Sequence, residues 1–332
     1  MPAIRTQRLR KQFGDMVAVE DVTFEVLDGE NFGLLGPNGA GKSTLIRLLT
    51  TLLEPTSGAA EVAGHDVQRE PDAVRRSIGV IPQAFTSDPG LTAAENLHFY
   101  AKLYSVPGSR RRGLVDDLLA SVGLDEWRDK LVGTFSGGMR RRLEIARSLM
   151  HEPRILFLDE PTTGLDPVSR LHMWEMIRRL KARTGVTLFL TTHYMEEADQ
   201  LCDQIAIFDH GVIVAEGSPG QLKAQVGATE TIGVEFAVSP PGWADAVRGL
   251  PGVHAVRTGK GPWTIESRDR IATVGALVAE ARRAAVPILS LVAEGNTLED
   301  VFIAYTGREL RDSADEKIRM DVRHLYDRRP HA

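Results

Sequence analysis

Apolar positions along the chain fall into two alternating periods. Short runs of strand length at residues 4–9, 22–26, 31–35, 155–158, 186–190 and 205–208 are separated by longer stretches at helical spacing. The second run ends at an Asp28-Gly29 turn. Leu45, Ile46, Leu48, Leu49, Leu52 and Leu53 recur at helical spacing, and Glu54-Pro55-Thr56-Ser57-Gly58 predicts the end of that helix. From about residue 85 to 150 the pattern is helical, opened by Thr92-Ala93-Ala94-Glu95 at capping-box spacing. Strands alternating with helices predict an α/β fold: a mostly parallel sheet covered on both faces, with a helical insertion.

The order changes after Gly217-Ser218-Pro219-Gly220. Strand 231–238, helix 243–249, strands 253–258 and 263–267, helix 270–284 and strand 288–293 give a β-α-β-β-α-β order, and a last short helix covers 298–305. This predicts a small ferredoxin-like α+β domain. The domains expected are therefore 1–222, 223–306 and a charged tail at 307–332. Ile318, Val322 and Leu325 in the tail sit at helical spacing, but the stripe is thin and a mobile tail is the equal reading.

Composition narrows the classes. The 332 residues are long for one domain and comfortable for two. A formal net charge of -5 gives no global attraction to nucleic acid, so no nucleic-acid partner is expected. One cysteine, Cys202, excludes a disulfide framework and a cysteine-based zinc site; amid apolar and charged neighbours it reads as a small packed hydrophobe rather than a reactive thiol. No run of eighteen apolar residues occurs, and Met1-Pro2-Ala3-Ile4-Arg5 lacks the apolar stretch of a signal peptide. Any membrane role is borrowed from a partner.

Candidate chemistry starts with Gly36-Pro37-Asn38-Gly39-Ala40-Gly41-Lys42-Ser43, which fits the phosphate-loop pattern between a strand and a helix. Asn38, Gly39 and Gly41 belong to a loop whose backbone N–H groups close around phosphate oxygens of ATP. Lys42 is the point charge for the β- and γ-phosphates, and the Ser43 hydroxyl is placed to ligate Mg²⁺. Thr44 opens the helix, whose positive dipole end favours phosphate. The strand Ile155-Leu156-Phe157-Leu158 ends in Asp159-Glu160. Successive strand residues point to opposite faces, so the two carboxylates are expected to differ in role. Asp159 suits the Mg²⁺ shell, and Glu160 the general base that orients attacking water. Phe135-Ser136-Gly137-Gly138-Met139 is a second anion site, a Ser-Gly-Gly turn feeding a helix. One subunit has no use for two sites on a single nucleotide; two subunits, each closing over the other's ATP, do.

With these motifs in order, residues 3–220 resemble the nucleotide-binding subunit of ABC transporters, a P-loop NTPase fold with a mostly parallel sheet, an antiparallel β subdomain and a helical insertion. The resemblance implies roles for further residues. Gln83 matches the glutamine that senses Mg²⁺ and water. Ser136, Gly137 and Gly138 match the signature that caps the partner's γ-phosphate. Asp166 in Gly164-Leu165-Asp166 matches the loop crossing the dimer interface, His193 the switch histidine, and Phe13 the aromatic ring that stacks on adenine. It further implies a homodimer of ATPase subunits, a separate transmembrane permease, and a peripheral place at the cytoplasmic face of the membrane. The permease is expected to dock on the insertion around 85–104, where Phe85, Leu91, Leu97, Phe99 and Tyr100 supply apolar surface, some of it core and an exposed cluster the docking groove. The signature departs from the common Leu-Ser-Gly-Gly-Gln at Met139, which puts any role of the glutamine side chain in doubt.

The loop sequence, the Phe-Ser-Gly-Gly-Met signature and Leu298-Glu299-Asp300-Val301-Phe302 together resemble the daunorubicin-resistance branch of exporter ATPases. That branch implies efflux of a hydrophobic drug, lipid or glycoconjugate. The alternative is an importer ATPase whose C-terminal domain senses substrate. Chromosome- and repair-type relatives need coiled coils or zinc cysteines, and translation-type relatives carry two phosphate loops; this chain has neither. Arg140-Arg141-Arg142 is expected on the solvated face of a helix and Arg110-Arg111-Arg112 in a polar loop, with contact to membrane headgroups the lesser reading for the latter.

Overall fold

The hydrophobic runs fold as alternating strands and helices in a computed structural model that describes residues 2–226, 230–259 and 262–307. In chain order the first elements are β1 (Pro2–Phe13), β2 (Met16–Val22), β3 (Glu25–Leu27), β4 (Asn31–Leu35), α1 (Lys42–Leu49), β5 (Ser57–Val62), β6 (His65–Asp66), α2 (Pro71–Ser77) and β7 (Ile78–Ile81). The insertion follows as α3 (Ala93–Leu103), α4 (Gly108–Ser121) and α5 (Gly137–Ser148). Then come β8 (Ile155–Asp159), α6 (Pro167–Thr184), β9 (Thr187–Thr192), α7 (Met195–Leu201), β10 (Gln204–Asp209) and β11 (Val212–Gly217). The last are α8 (Pro219–Gln225), β12 (Glu230–Phe236), α9 (Trp243–Arg248), β13 (Val253–Arg257), β14 (Trp263–Ser267), α10 (Arg270–Arg283), β15 (Ile288–Glu294) and α11 (Leu298–Thr306).

The chain forms two compact units that part between Pro219 and Gly220. Among the described residues of the first, one sheet runs β11-β10-β4-β9-β8-β7, parallel from β10 to β7, with β11 antiparallel at its edge. A second, antiparallel sheet runs β2-β1-β5-β6, with β3 also paired to β1. The rings of Phe24, Phe32, Phe189 and Phe157 pack in succession, with centroids 5.1–5.5 Å apart, at the middle of the core. Because β4, β8 and β9 are parallel neighbours, the loops after them emerge at one edge. α3 starts as its sequence predicts: Thr92 Oγ1 accepts from the Glu95 amide and Glu95 returns a bond to the Thr92 amide.

Two expectations change. The run at 22–26 is not one strand: β2 stops at Val22, because the Thr6 hydroxyl takes the Phe24 amide out of the ladder at 3.0 Å, and β3 starts at Glu25. α1 ends at Leu49, ahead of the Pro-Gly cluster, where Thr51 turns to φ +63; Leu52 is left exposed.

In the second unit, β12-α9-β13-β14-α10-β15 builds an antiparallel sheet ordered β13-β14-β12-β15, the ferredoxin-like arrangement the sequence predicts. Phe236 meets Trp243 and Trp263 edge-on in its core, with centroids 5.3 and 5.2 Å apart. The tail stripe of Ile318, Val322 and Leu325 lies outside the described residues. No helix among the described residues is long and apolar enough to cross a membrane.

Candidate functional site

The loop after β4 passes so close to β10 at Gly36 and to β2 at Gly41 that neither glycine has a substitute. A Cβ at Gly36 would fall 2.0 Å from the Phe208 carbonyl oxygen. At Gly41, where φ is +107, a Cβ would fall 2.2 Å from that of Ala18. Gly41 is the N-cap of α1, and no side chain caps that end. The first-turn amides of the helix are therefore available to an anion. Lys42, the first residue of α1, is buried; its ammonium donates to the carbonyls of Gly36 (2.8 Å) and Pro37 (3.1 Å) and lies 3.2 Å from Glu160 Oε1. Burial lowers its pKa, against the opposing pull of Glu160 and Asp159.

β8 delivers the two acids. Asp159 Oδ1 accepts from the hydroxyls of Ser43 (3.2 Å) and Thr191 (2.6 Å). Strand alternation does not separate Glu160 from it, since Glu160 has already left the strand at φ +49, its amide donating to the Thr191 carbonyl and hydroxyl. Glu160 thus lines the cleft, and Asp159 touches it through Ser43. Glu160 Oε2 accepts from the Thr163 hydroxyl (3.1 Å) and the Gln83 amide (3.4 Å) and lies 3.4 Å from His193 Nδ1. Burial alone would raise the Glu160 pKa, but the hydrogen bond from His193 and the charge of Lys42 outweigh it and hold it at about 2. The cleft, about 880 Å³, is bounded on one side by Met16, Val17 and Ala18 and on another by His210 and Gly211.

Lys42, Ser43, Asp159, Glu160, Gln83 and His193 are thereby brought together, with Asn38, Gly39, Gly41 and Thr44 in the same wall. Ser136, Gly137, Gly138 and Asp166 do not line this cleft. Ser136 caps α5 by accepting from the Met139 amide, leaving its turn exposed. Asp166 caps α6 through the Ser169 amide and hydroxyl. Phe13, half-exposed at the end of β1, carries the Lys11 ammonium 5.1 Å from its ring centre; Met16 and Val17 are the residues of that hairpin that border the cleft.

The arginine runs need correction. Arg141 is only 3% exposed and donates to the carbonyls of Pro82 and Gln83, and Arg142 donates to those of Val122 and Gly123. These carbonyls leave strand and helix ends without ladder partners, and the guanidinium groups supply the donors. Arg110, Arg111 and Arg112 lie in the first turns of α4, not in a loop. The sequence reading also missed Thr163 and Thr191, and it missed Glu197, buried on α7, which accepts from Thr162 (2.8 Å) and the Trp174 indole (3.0 Å) and whose pKa burial raises. Only Thr191 carried a signal, its place two residues before His193.

Comparison with known proteins adds to this geometry. The ABC transporter family matches residues 19–163. The chain is 42% identical over 319 residues to a daunorubicin/doxorubicin resistance ATP-binding protein of Streptomyces peucetius, covering 95% of this chain and 96% of that protein. It is 38% identical over 313 residues to a Nod factor export ATP-binding protein of Ralstonia nicotianae, covering 94% and 96%. Among solved structures, it resembles the dimeric post-hydrolysis state of the ATP-binding cassette MJ0796 bound to ADP and Pi, with a TM-score of 0.59 and 26% identity over 65% of this chain and 98% of that one.

Proposed function

The chain belongs to the ABC transporter family, and we propose that it is the motor of an exporter, two copies closing head to tail over two MgATP. As an ABC ATPase it binds and hydrolyses ATP. The observation that carries the reading is the convergence of Lys42, Gln83, Thr163 and His193 on the one carboxylate of Glu160.

The first-turn amides of α1 and the Lys42 ammonium hold the β- and γ-phosphates. To do so, Lys42 gives up Glu160 and the carbonyls of Gly36 and Pro37. Its withdrawal removes one of the groups that depress the Glu160 pKa, which makes Glu160 a stronger base as ATP enters. Glu160 then accepts a proton from the attacking water, held by His193 and Gln83. Ser43 Oγ and Asp159 Oδ1, 3.2 Å apart, are the hard oxygen donors Mg²⁺ takes, with Gln83 nearby. Bound there, the ion would neutralise charge on the β- and γ-oxygens. The exposed turn at Ser136-Gly137-Gly138 caps the partner copy's γ-phosphate, Asp166 borders that interface, and Phe13 stacks on adenine at the hairpin.

The chain sits peripherally at the cytoplasmic face of the membrane. Force leaves through the insertion to a separate membrane subunit. Leu97 belongs to the core, whereas Phe99 is 57% and Phe85 42% exposed, an apolar surface suited to a docking helix. The cargo is a hydrophobic drug, lipid or glycoconjugate. Export is favoured over import because the resistance and export relatives match over the C-terminal unit as well as the first. The test is phosphate release by the chain co-expressed with its membrane partner, measured with MgATP and again with the metal chelated. Metal-dependent hydrolysis coupled to efflux of an apolar cargo is the expected result; a complex that hydrolyses ATP only while taking cargo up would sink the export reading.

A further inference from the structure

Arg141 and Glu144 lie about one turn apart on α5, the helix that begins at Gly137 beside Ser136, and both face the segment after β7. Arg141 donates to the Pro82 carbonyl at 2.5 Å and the Gln83 carbonyl at 2.7 Å, with its guanidinium 5.1 Å from the centre of the Phe85 ring. Glu144, fully buried, accepts from the Thr86 amide and hydroxyl, both at 2.8 Å, and from the Ser87 amide at 2.7 Å, while pairing with Arg147. Residues 82–87 are thus fastened at both ends to one helix. From the same segment Gln83 Nε2 reaches Glu160 at 3.4 Å, and Glu160 reaches Lys42 at 3.2 Å.

α5 therefore has the Ser136-Gly137-Gly138 turn at its start and, about one turn further along, a grip on the segment whose Gln83 reaches the chain's own Glu160. We propose that Arg141 and Glu144 are positioning residues that make the signature helix and the Gln83 segment one body, so that the partner's nucleotide at Ser136 sets where Gln83 stands over this chain's Glu160. The proposal rests on the head-to-tail dimer of the preceding subsection. A guanidinium fork on two successive carbonyls fixes orientation as well as distance, which a single ammonium cannot do. Charge-assisted bonds in a close-packed interior transmit a displacement instead of absorbing it. The consequence is coupling between the two ATP sites, reciprocal for binding.

The experiment measures hydrolysis by the full chain assembled with its membrane partner over a range of ATP concentrations. The wild type is expected to show a Hill coefficient above unity. Arg141→Ala and Glu144→Ala should bring it to unity and weaken the coupling about 2- to 30-fold, with the affinity for the first fluorescent ATP analogue bound unchanged. Arg142→Ala removes a similar pair of guanidinium–carbonyl bonds, to Val122 and Gly123 instead, and should keep the cooperativity. Arg141→Lys keeps the charge and loses the fork, and gives the same answer if the alanine variants fail to fold. A wild-type coefficient of unity, or an unchanged coefficient in folded Arg141→Ala or Arg141→Lys, overturns the proposal. Absence of hydrolysis in the wild-type assembly would instead overturn the functional reading beneath it.

Discussion

Replacing Glu160 with glutamine keeps the shape of the side chain and removes the charge around which the cleft is arranged. That charge faces the buried Lys42 ammonium at 3.2 Å. The carboxyl is held from its ordinary 4.5 down to about 2, which at about 1.4 kcal/mol per pKa unit favours the folded state by about 3 kcal/mol. The folded-state pKa is depressed, so this contribution is complete above pH 4.5 and is lost as the pH falls toward 2. Leaving a buried cation without its partner costs about the same by an independent route, ~3–5 kcal/mol. Glu160→Gln should therefore lower the melting temperature of the nucleotide-free first unit by about 6–12 °C at neutral pH. It should also flatten the acid dependence of stability between pH 4.5 and 2. MgATP should restore most of the loss, because phosphate oxygens take over the partnership with Lys42; ATP should bind the variant more tightly than the wild type. Turnover should fall roughly 10²–10⁴-fold. Thermal melts with and without MgATP, an ATP titration and a phosphate-release assay measure the three effects. A nucleotide-free melting temperature equal to that of the wild type, or weaker ATP binding, would refute the account of Lys42 exchanging partners; near-normal turnover would remove Glu160 from the role of base.

Three further outcomes are expected. Gly41→Ala places a Cβ 2.2 Å from the Ala18 carbonyl oxygen at φ +107, so chemical denaturation should show a loss of about 1–3 kcal/mol together with weakened ATP binding; an unaltered variant would refute the close approach of the loop to Ala18. Ser136→Arg should block ATP-dependent dimerisation, followed by light scattering, while nucleotide binding at Lys42 survives, and a variant that dimerises normally with ATP would separate the signature from the interface. Phe99→Asp, at a surface position, should keep ATP binding but abolish stimulation of hydrolysis by the membrane partner, and full stimulation would move the docking surface elsewhere.

The central strands were legible because they are parallel and covered on both faces, so that all six positions of β9 are buried and Leu188-Phe189-Leu190 follow one another without polar alternation. The phosphate loop was legible because clearance at Gly36 and Gly41, and a left-handed backbone at Gly39 and Gly41, favour glycine. The strands that escaped were β5, β6, β7, β11 and all of β2 but Val22: β6 and β7 are only two and four residues long, and β5 is exposed at four of its six positions, which blurs any period. The break between β2 and β3 could not be read locally, since its cause is a hydroxyl 18 residues away. Strand alternation failed at Glu160 for a similar reason. Both partners of its amide belong to Thr191, on the neighbouring strand, and they hold the backbone in the left-handed region.

Charge was read least well, because a run of arginines has the same appearance in water as against unpaired carbonyls. Arg140, Arg141 and Arg142 differ only in where the helix turns them, one to Gly133, one to Pro82 and Gln83, one to Val122 and Gly123. One signal was nonetheless present. Glu144 stands between Leu143 and Ile145-Ala146, on a stretch of α5 where every residue from 143 to 148 is buried. A carboxylate inside such a stretch must have donors supplied to it, or folding would bury an uncompensated charge. α5 itself offers one, Arg147 at i+3. The amides that complete the set belong to Thr86 and Ser87, at the exit of the loop that carries Gln83. A buried acid on α5 thus requires a loop held against that helix, and the loop it holds carries Gln83 into the cleft.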